Sequence, residues 1–481
     1  LLTTTAGQRL GSPEADAPAD PIRVLDPASG ELVSKVPVSP ASEVRAAVAR
    51  SRAAATGWAR CAPAERAAAV SRAAARVRSD ATELARLSTA EMGRPAQLAE
   101  GGVEAAAATM VQYAELGPLH RGRALQGRWD ATDLMVPEPR GVVALITPWN
   151  DPVAVPAGLL AAALVSGNTV VFKPSERTPA TGARLAESFA AELPPGVLQT
   201  VQGGAETGAT LAGQEDVDVV CHVGSTRAGR AIALAAARTG AKVVLENGGN
   251  DPLVVDADVD PVWAAAQAAL GGFINSGQLC TAVERVHVHE ALAEDFLAAL
   301  VAEAESLVLG PGSDRRTTLG PLVDERARAE VHAQVQQARD AGARVMTGGD
   351  LPDGPGAFYP PTVLTDVRSD MAVMTEETFG PVLPVMPAAS FEEALEAAAR
   401  SEYGLAATVL TGSMANAQEA WRRLPVGTVK VNAVFGGAPG GAAQPRGASG
   451  DGFGYGPELL DELTRVKVVH LGRPTLGGEH R

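Results

Sequence analysis

Five short stretches of the chain combine a reactive or hydrogen-bonding side chain with residues that let the backbone turn. Cys280 closes the run Gly277, Gln278, Leu279. As a thiolate it is a nucleophile, whereas a thiol buried among apolar groups is inert, and the tetrapeptide alone fits both. Glu246 precedes Asn247, Gly248, Gly249, Asn250, Asp251 and Pro252; it can act as a general base if its surroundings raise its affinity for protons, or it is a solvated cap. In Thr147, Pro148, Trp149, Asn150 the side-chain amide can donate to a developing oxyanion, or the segment is a polar turn. Lys173, Pro174, Ser175, Glu176 sets a rare lysine beside a carboxylate, a pairing suited to ribose hydroxyls or to a surface ion pair. Gly224, Ser225, Thr226, Arg227, Ala228, Gly229 lacks the first glycine of GxGxxG. It is either a phosphate-holding helix start or a plain strand-to-helix turn.

The periodicity around these stretches predicts what positions them. Over 42–111 apolar residues recur at three and four spacing, as in Val44 and Val48 and again in Leu84 and Leu87, and predict a layer of amphipathic helices. Gly127, Pro137 and Pro139 interrupt 123–143 and predict a projecting hairpin before a buried strand at 141–146. The chain then alternates: helix 156–165, strand 169–172, helix 179–193, strand 217–223, helix 227–239, strand 242–245. Such alternation predicts a parallel sheet covered by helices, with the chemical stretches at its strand ends. A second α/β block follows from Leu253 to about Thr428, with strands expected at 252–255, 285–288, 382–385 and 408–410. Glycine is so dense over 436–456 that a long loop without regular structure is expected.

The length of 481 residues corresponds to about three domains of roughly 150 residues each. A net charge of -15 excludes the broad basic surface that nucleic acid requires and argues against an anionic membrane surface. Three cysteines cannot make a disulfide framework, so a reducing cytoplasm is expected; Cys61 and Cys221, in a helical region and a strand, suit inert thiols. Residues 1–20 lack the basic start and apolar run of an export signal, and the longest apolar run, 157–165, falls short of the roughly 20 residues that span a bilayer. A soluble protein is expected. Lysine occurs only at Lys35, Lys173, Lys242, Lys430 and Lys467.

Taken in order, and together with Glu377, Thr378, Phe379, Gly380, Pro381, these stretches make the chain resemble the NAD(P)-dependent aldehyde dehydrogenase superfamily from about Asp26 to Val469. The resemblance implies an α/β fold with a Rossmann-type cofactor domain (1–120 and 140–248) and an α/β catalytic domain (249–448). It also implies a small β oligomerisation flap with the C-terminal segment (121–139 and 449–481). It makes Cys280 the nucleophile, Glu246 the base of hydrolysis, and Asn150 with the Cys280 amide the oxyanion donors. Trp149, Lys173, Glu176, Gly224, Ser225, Gly229, Glu377 and Phe379 would hold NAD, with NADP as the alternative; Glu176 would repel the extra phosphate of NADP. Glu115, Asp151, Val155 and Thr281 would line the substrate, a small-molecule aldehyde. No metal is expected, and the partner is a second or further copy of the chain, as homodimer or homotetramer.

Several positions depart from the family pattern: Asn247 and Asn250 replace Leu and Lys, Asp151 replaces an aromatic residue, Gly454 stands where many members carry a glutamate, and the loop 438–448 is reshaped. Glu115 and Asp151 as two carboxylates on a dry tunnel would favour amino-aldehydes or polar aldehydes over succinic semialdehyde; paired with arginines they would not. Two rival functions stay open here, a thiol hydrolase using Cys280 and Glu246 without nicotinamide, and a non-catalytic member of the fold.

Overall fold

Val142, Val143, Ala144, Leu145 and Ile146 are all buried, and strand alternation sends Val143 and Leu145 into one core and Val142, Ala144 and Ile146 into another. Burial on both faces is what a parallel strand between two helical layers requires. The computed structural model describes residues 20–436 and 442–474, and in it this strand is central to a six-stranded sheet. From one edge the order is Gly450–Asp451, Lys242–Glu246, Val219–Val223, Val142–Ile146, Thr169–Lys173, Leu198–Thr200, all parallel but the first. The chain winds outward in one direction and then returns to build on the other side of Val142–Ile146, so a topological switch point lies beside Val219–Val223.

The helices Pro63–Ser79, Ala81–Met92 and Ala96–Leu116 cover one face, as the Ala-rich periodicity predicts. Trp58 on the preceding helix joins them, donating its indole N–H to Leu164 O at 3.0 Å. The next helix begins at Ala154, ahead of the expected 156, because Asp151 Oδ1 accepts the Ala154 amide at 3.1 Å. The strand expected from 217 begins at Val219, since the Val217 amide is used in a turn onto Gln214 O at 3.2 Å.

A seven-stranded sheet follows, ordered Arg344–Thr347, Thr362–Thr365, Val382–Ala388, Val283–His289, Asp251–Val255, Ala406–Leu410, Thr428–Val431. Its strands are parallel except at the Arg344–Thr347 edge. The segment around 121–139 pairs with Thr464–Leu471 in a separate three-stranded antiparallel sheet that exposes Val466, Val468 and Leu471, with Trp129 91% exposed nearby.

Two features differ from expectation. The glycine-rich stretch carries two short strands: Arg446–Gly447 pairs with Tyr403–Gly404, and Gly450–Asp451 pairs with Glu246 and Leu245. Glycines at positive φ, Gly447 and Gly450, make those pairings, while 437–441, inside the reshaped 438–448 loop, lie outside the described residues, as do 1–19. The C-terminal segment also divides: Leu459, Leu460 and Leu463 pack into the core under the first sheet, and only the strand beyond them joins the small sheet. Among the described residues, no helix is long and apolar enough to cross a membrane.

Candidate active site

The turn that delivers Cys280 is built from backbone that few residues adopt willingly. Asn275, Ser276 and Gly277 have φ of 51°, 59° and 71°, a left-handed run right after the helix Pro261–Phe273. Each non-glycine residue there costs on the order of 1 kcal/mol and persists only because its surroundings over-determine it. Here they do. Ser276 Oγ donates to Gly320 O (2.8 Å), Gln278 Nε2 donates to Asn275 O (3.1 Å), and Val323 N donates to Gln278 Oε1 (2.9 Å). A Cβ on Gly277 would stand 2.1 Å from Gly380 O, so only glycine fits. Cys280 follows, partly buried, three residues before the strand Val283–His289.

Asn150 reaches the same turn from the end of Val142–Ile146. It is buried, its Nδ2 donates to Gln278 O at 3.1 Å, and Asn275 Nδ2 donates to Asn150 O at 3.3 Å. Glu246 ends its strand on the first sheet, five residues before the first strand of the second, Asp251–Val255, begins. Burial pushes its carboxyl up to about 7, opposed only by the Gly454 amide, which donates to Oε1 at 3.2 Å. Burial, then the negative charges of Glu246, Asp251 and Glu377, push the Cys280 thiol up to about 12. The Cys280 sulfur therefore rests as a thiol, which must lose its proton before it can attack. Cys221, fully buried in the first sheet, is likewise pushed up to about 12 by burial, as an inert thiol should be.

Glu377 does not project freely. Its Oε1 accepts the Gly249 amide at 3.0 Å, and a Cβ on Gly248 would lie 2.3 Å from its Oε2. Glu284, fully buried on the strand after Cys280, accepts the amides of Thr378 and Phe379, both at 2.9 Å, and so holds Phe379 at its φ of 52°. Burial and the nearby Glu377 raise its pKa. Sequence reasoning missed Glu284; its signal is a charged pair, Glu284 and Arg285, inside a strand that alternates with valines and is buried almost throughout. Phe379 meets Trp149 edge-on at 5.5 Å, and the Arg177 guanidinium lies 5.2 Å from the Trp149 ring centroid.

The replaced asparagines are absorbed into the same framework. Asn247 N donates to Ser449 O (2.9 Å) and its Nδ2 to Ala448 O (3.2 Å). Asn250 Nδ2 donates to Glu376 O at 3.1 Å, tying the glycine turn to the Glu377 segment.

At the switch point the residues fit a dinucleotide. Ser225 caps the helix Thr226–Thr239, its Oγ accepting the Ala228 amide, so the first-turn amides face the crevice. Gly229 allows that helix to lie against Asn247, whose Oδ1 would be 2.0 Å from an added Cβ. Thr226 Oγ1, buried, has no hydrogen-bond partner among the described residues, as a donor awaiting a phosphate oxygen would not. Lys173 is buried, its Nζ donating to Pro174 O (2.8 Å) and Gly203 O (2.7 Å), with the exposed Glu176 carboxylate 3.7 Å away.

The expected acidic wall is not formed. Asp151 pairs with Arg94 at 3.3 Å as well as capping its helix, so its charge is balanced. Glu115 is exposed on Ala96–Leu116, two residues from buried Tyr113, and residues two apart on a helix do not share a face. Val155 and Thr281 are partly buried. The acidic-wall argument for amino-aldehydes or polar aldehydes over succinic semialdehyde loses its basis.

The sequence pattern described as the aldehyde dehydrogenase family matches residues 14–469. Benzaldehyde dehydrogenase (NAD+) of Pseudomonas putida is 36% identical over 466 residues, covering 93% of this chain and 92% of that protein. The crystal structure of lactaldehyde dehydrogenase from Escherichia coli superposes with a TM-score of 0.92 at 35% identity, covering 95% of this chain and 96% of the other. The NAD+ complex of a Bacillus cereus aldehyde dehydrogenase gives a TM-score of 0.92 at 33% identity over 94% and 93%.

Proposed function

The chain belongs to the aldehyde dehydrogenase family and oxidises an aldehyde to a carboxylic acid with NAD, and from that premise we propose that Cys280 is the nucleophile, Glu246 the base, and Asn150 the oxyanion donor. Cys280 gives up its thiol proton to water, the sulfur bonds to the aldehyde carbon, and the carbonyl oxygen becomes an alkoxide. The Asn150 amide and the Cys280 backbone N–H stabilise that charge; Asn150 is already anchored to the Cys280 turn through Gln278. A bound nicotinamide would supply the acceptor for the hydride of the thiohemiacetal carbon, and Cys280 would then carry a thioester. Glu246 then deprotonates a water, the new C–O bond forms, the C–S bond breaks, and the acid departs from the regenerated thiolate.

Trp149, Phe379 and Glu377 would border the nicotinamide and its ribose, Lys173 and Glu176 the other ribose, and the Gly224, Ser225 and Gly229 turn the pyrophosphate. The carrying observation is that Asn150 Nδ2 is hydrogen-bonded to the left-handed turn that delivers Cys280, while the Glu246 carboxyl is held at a strand end by the Gly454 amide. A hydrolase without nicotinamide is not favoured, because the built dinucleotide crevice would then have no use. Homodimer or homotetramer formation through the small three-stranded sheet is supported by its exposed Val466, Val468 and Leu471, and a cytoplasmic setting by three free cysteines. The test is stopped-flow NADH formation by Glu246→Gln with an aldehyde panel. A burst near one NADH per site followed by slow turnover is expected, and a steady rate like the parent's would refute the assignment.

A further inference from the structure

The carboxyl of Glu246 meets one hydrogen-bond donor among the described residues, the backbone amide of Gly454. A Cβ built on Gly454 would lie 2.3 Å from Glu246 Cγ, 2.5 Å from Oε1 and 2.8 Å from Cδ. All three distances are far inside van der Waals contact. Gly452 and Gly456, two residues to either side, have φ of 86° and 77°, whereas Gly454 is outside the left-handed region. Backbone conformation therefore does not demand glycine at 454; the approach of Glu246 does.

The loop cannot simply withdraw to admit a side chain. On one side Gly450 pairs with Glu246 itself and Asp451 with Leu245. The Phe453 amide donates to Glu462 Oε1 at 3.1 Å, and Glu462 Oε2 pairs with Lys242, on the same strand as Glu246, at 2.6 Å. On the other side the buried Tyr113 O–H donates to Gly456 O at 3.2 Å, and Tyr455 packs edge-on against the Tyr113 ring. The Gly454 amide is thus pinned over the carboxyl from both flanks.

We propose that Gly454 is a positioning residue for the hydrolytic half of the reaction: its N–H and its missing side chain hold the Glu246 carboxyl in the pocket beside Cys280, and any side chain there displaces it. This rests on Glu246 being the base. It also gives the absence of a glutamate at 454 a physical reason, because the space such a residue needs is filled by the base itself. The titratable and charged groups on the packed elements are Cys280, Glu377 against Gly248, the Lys242–Glu462 pair, Asp451 on the paired strand, and His222 on the neighbouring strand. The three atoms nearest to a Cβ at Gly454 all belong to Glu246, so a change there acts first on Glu246.

The experiment compares Gly454→Ala with Glu246→Gln and the parent by stopped-flow NADH formation and by the pH profile of kcat. Gly454→Ala is expected to keep the burst of one NADH per site, which also certifies a folded cofactor and thiol site. Its later turnover should fall by at least about tenfold, since a positioned base is worth roughly 10²–10⁴-fold. The rising limb of its kcat profile should move to lower pH, because a carboxyl pushed toward water regains solvation. Parent-like turnover with an unmoved limb would overturn the proposal, and so would loss of the burst together with turnover, since the effect would then not be confined to hydrolysis. Parent-like turnover in Glu246→Gln would instead remove the underlying assignment of the base.

Discussion

If Glu246 is held ready to accept a proton by desolvation, its ionisation must strain the fold, and removing the charge should stabilise the protein in a pH-dependent way. The carboxyl moves from 4.5 to about 7 on folding. A tenfold gain in proton affinity on folding is worth about 1.4 kcal/mol, so the native state loses at most about 3 kcal/mol once the group is ionised in both states. The carboxyl is partly exposed, so this is a ceiling. A carboxyl raised on folding binds its proton more tightly in the native state. The penalty is therefore absent below the unfolded value of 4.5, grows as pH rises toward 7, and is complete above it. Glu246→Gln keeps an oxygen to accept from Gly454 and removes the charge. Thermal unfolding of parent and variant near pH 8.5 and near pH 5 is the assay. Spread over a chain of 481 residues, about 3 kcal/mol raises Tm by roughly 3 °C at the higher pH, with less than half of that at the lower. An equal change at both pH values, or a variant less stable at pH 8.5, would show that Glu246 is not desolvated as described.

Cys280→Ala should lose all aldehyde oxidation while still quenching on NAD addition, and Cys61→Ala and Cys221→Ala should stay active; activity in the first or its loss in both others would misassign the thiol. Glu176→Gln should raise the ratio of kcat/KM with NADP to that with NAD, because a charge beside the ribose site is removed; an unchanged ratio would place Glu176 away from the extra phosphate. Arg94→Ala strands the largely buried Asp151 and should lower stability by about 2 kcal/mol, with partial recovery in Arg94→Ala/Asp151→Asn; additive losses in denaturation would mean the two are not coupled.

The parallel sheets were readable because buried parallel strands are continuous apolar runs, and Val142–Ile146 and Thr169–Lys173 stand out as such from their flanks. Cys280, Glu246 and Asn150 could be proposed from the sequence because each lies next to a strand with small or turn-forming residues beside it. What escaped depends on contacts between distant segments. The Arg94 and Asp151 pair joins the end of one helix to the start of another, so the sequence showed an acidic residue and not its partner. Glu284 faces Thr378 and Phe379 from 94 and 95 residues away. The hairpin Ile22–Leu25 with Leu32–Val36 is short, half-exposed and weakly apolar, so its alternation carries little signal. Gly454 read as a missing functional group, and only the position of Glu246 shows what its smallness is for.

The covalent intermediate tests the central claim most directly. Glu246→Gln mixed with NAD and an aldehyde, quenched in acid within the burst and digested, should carry the acyl group as a thioester on the peptide containing Cys280, in proportion to the NADH released, with Cys61 and Cys221 unmodified. NADH release with no acyl group on Cys280, or with the acyl group on another residue, would contradict the account.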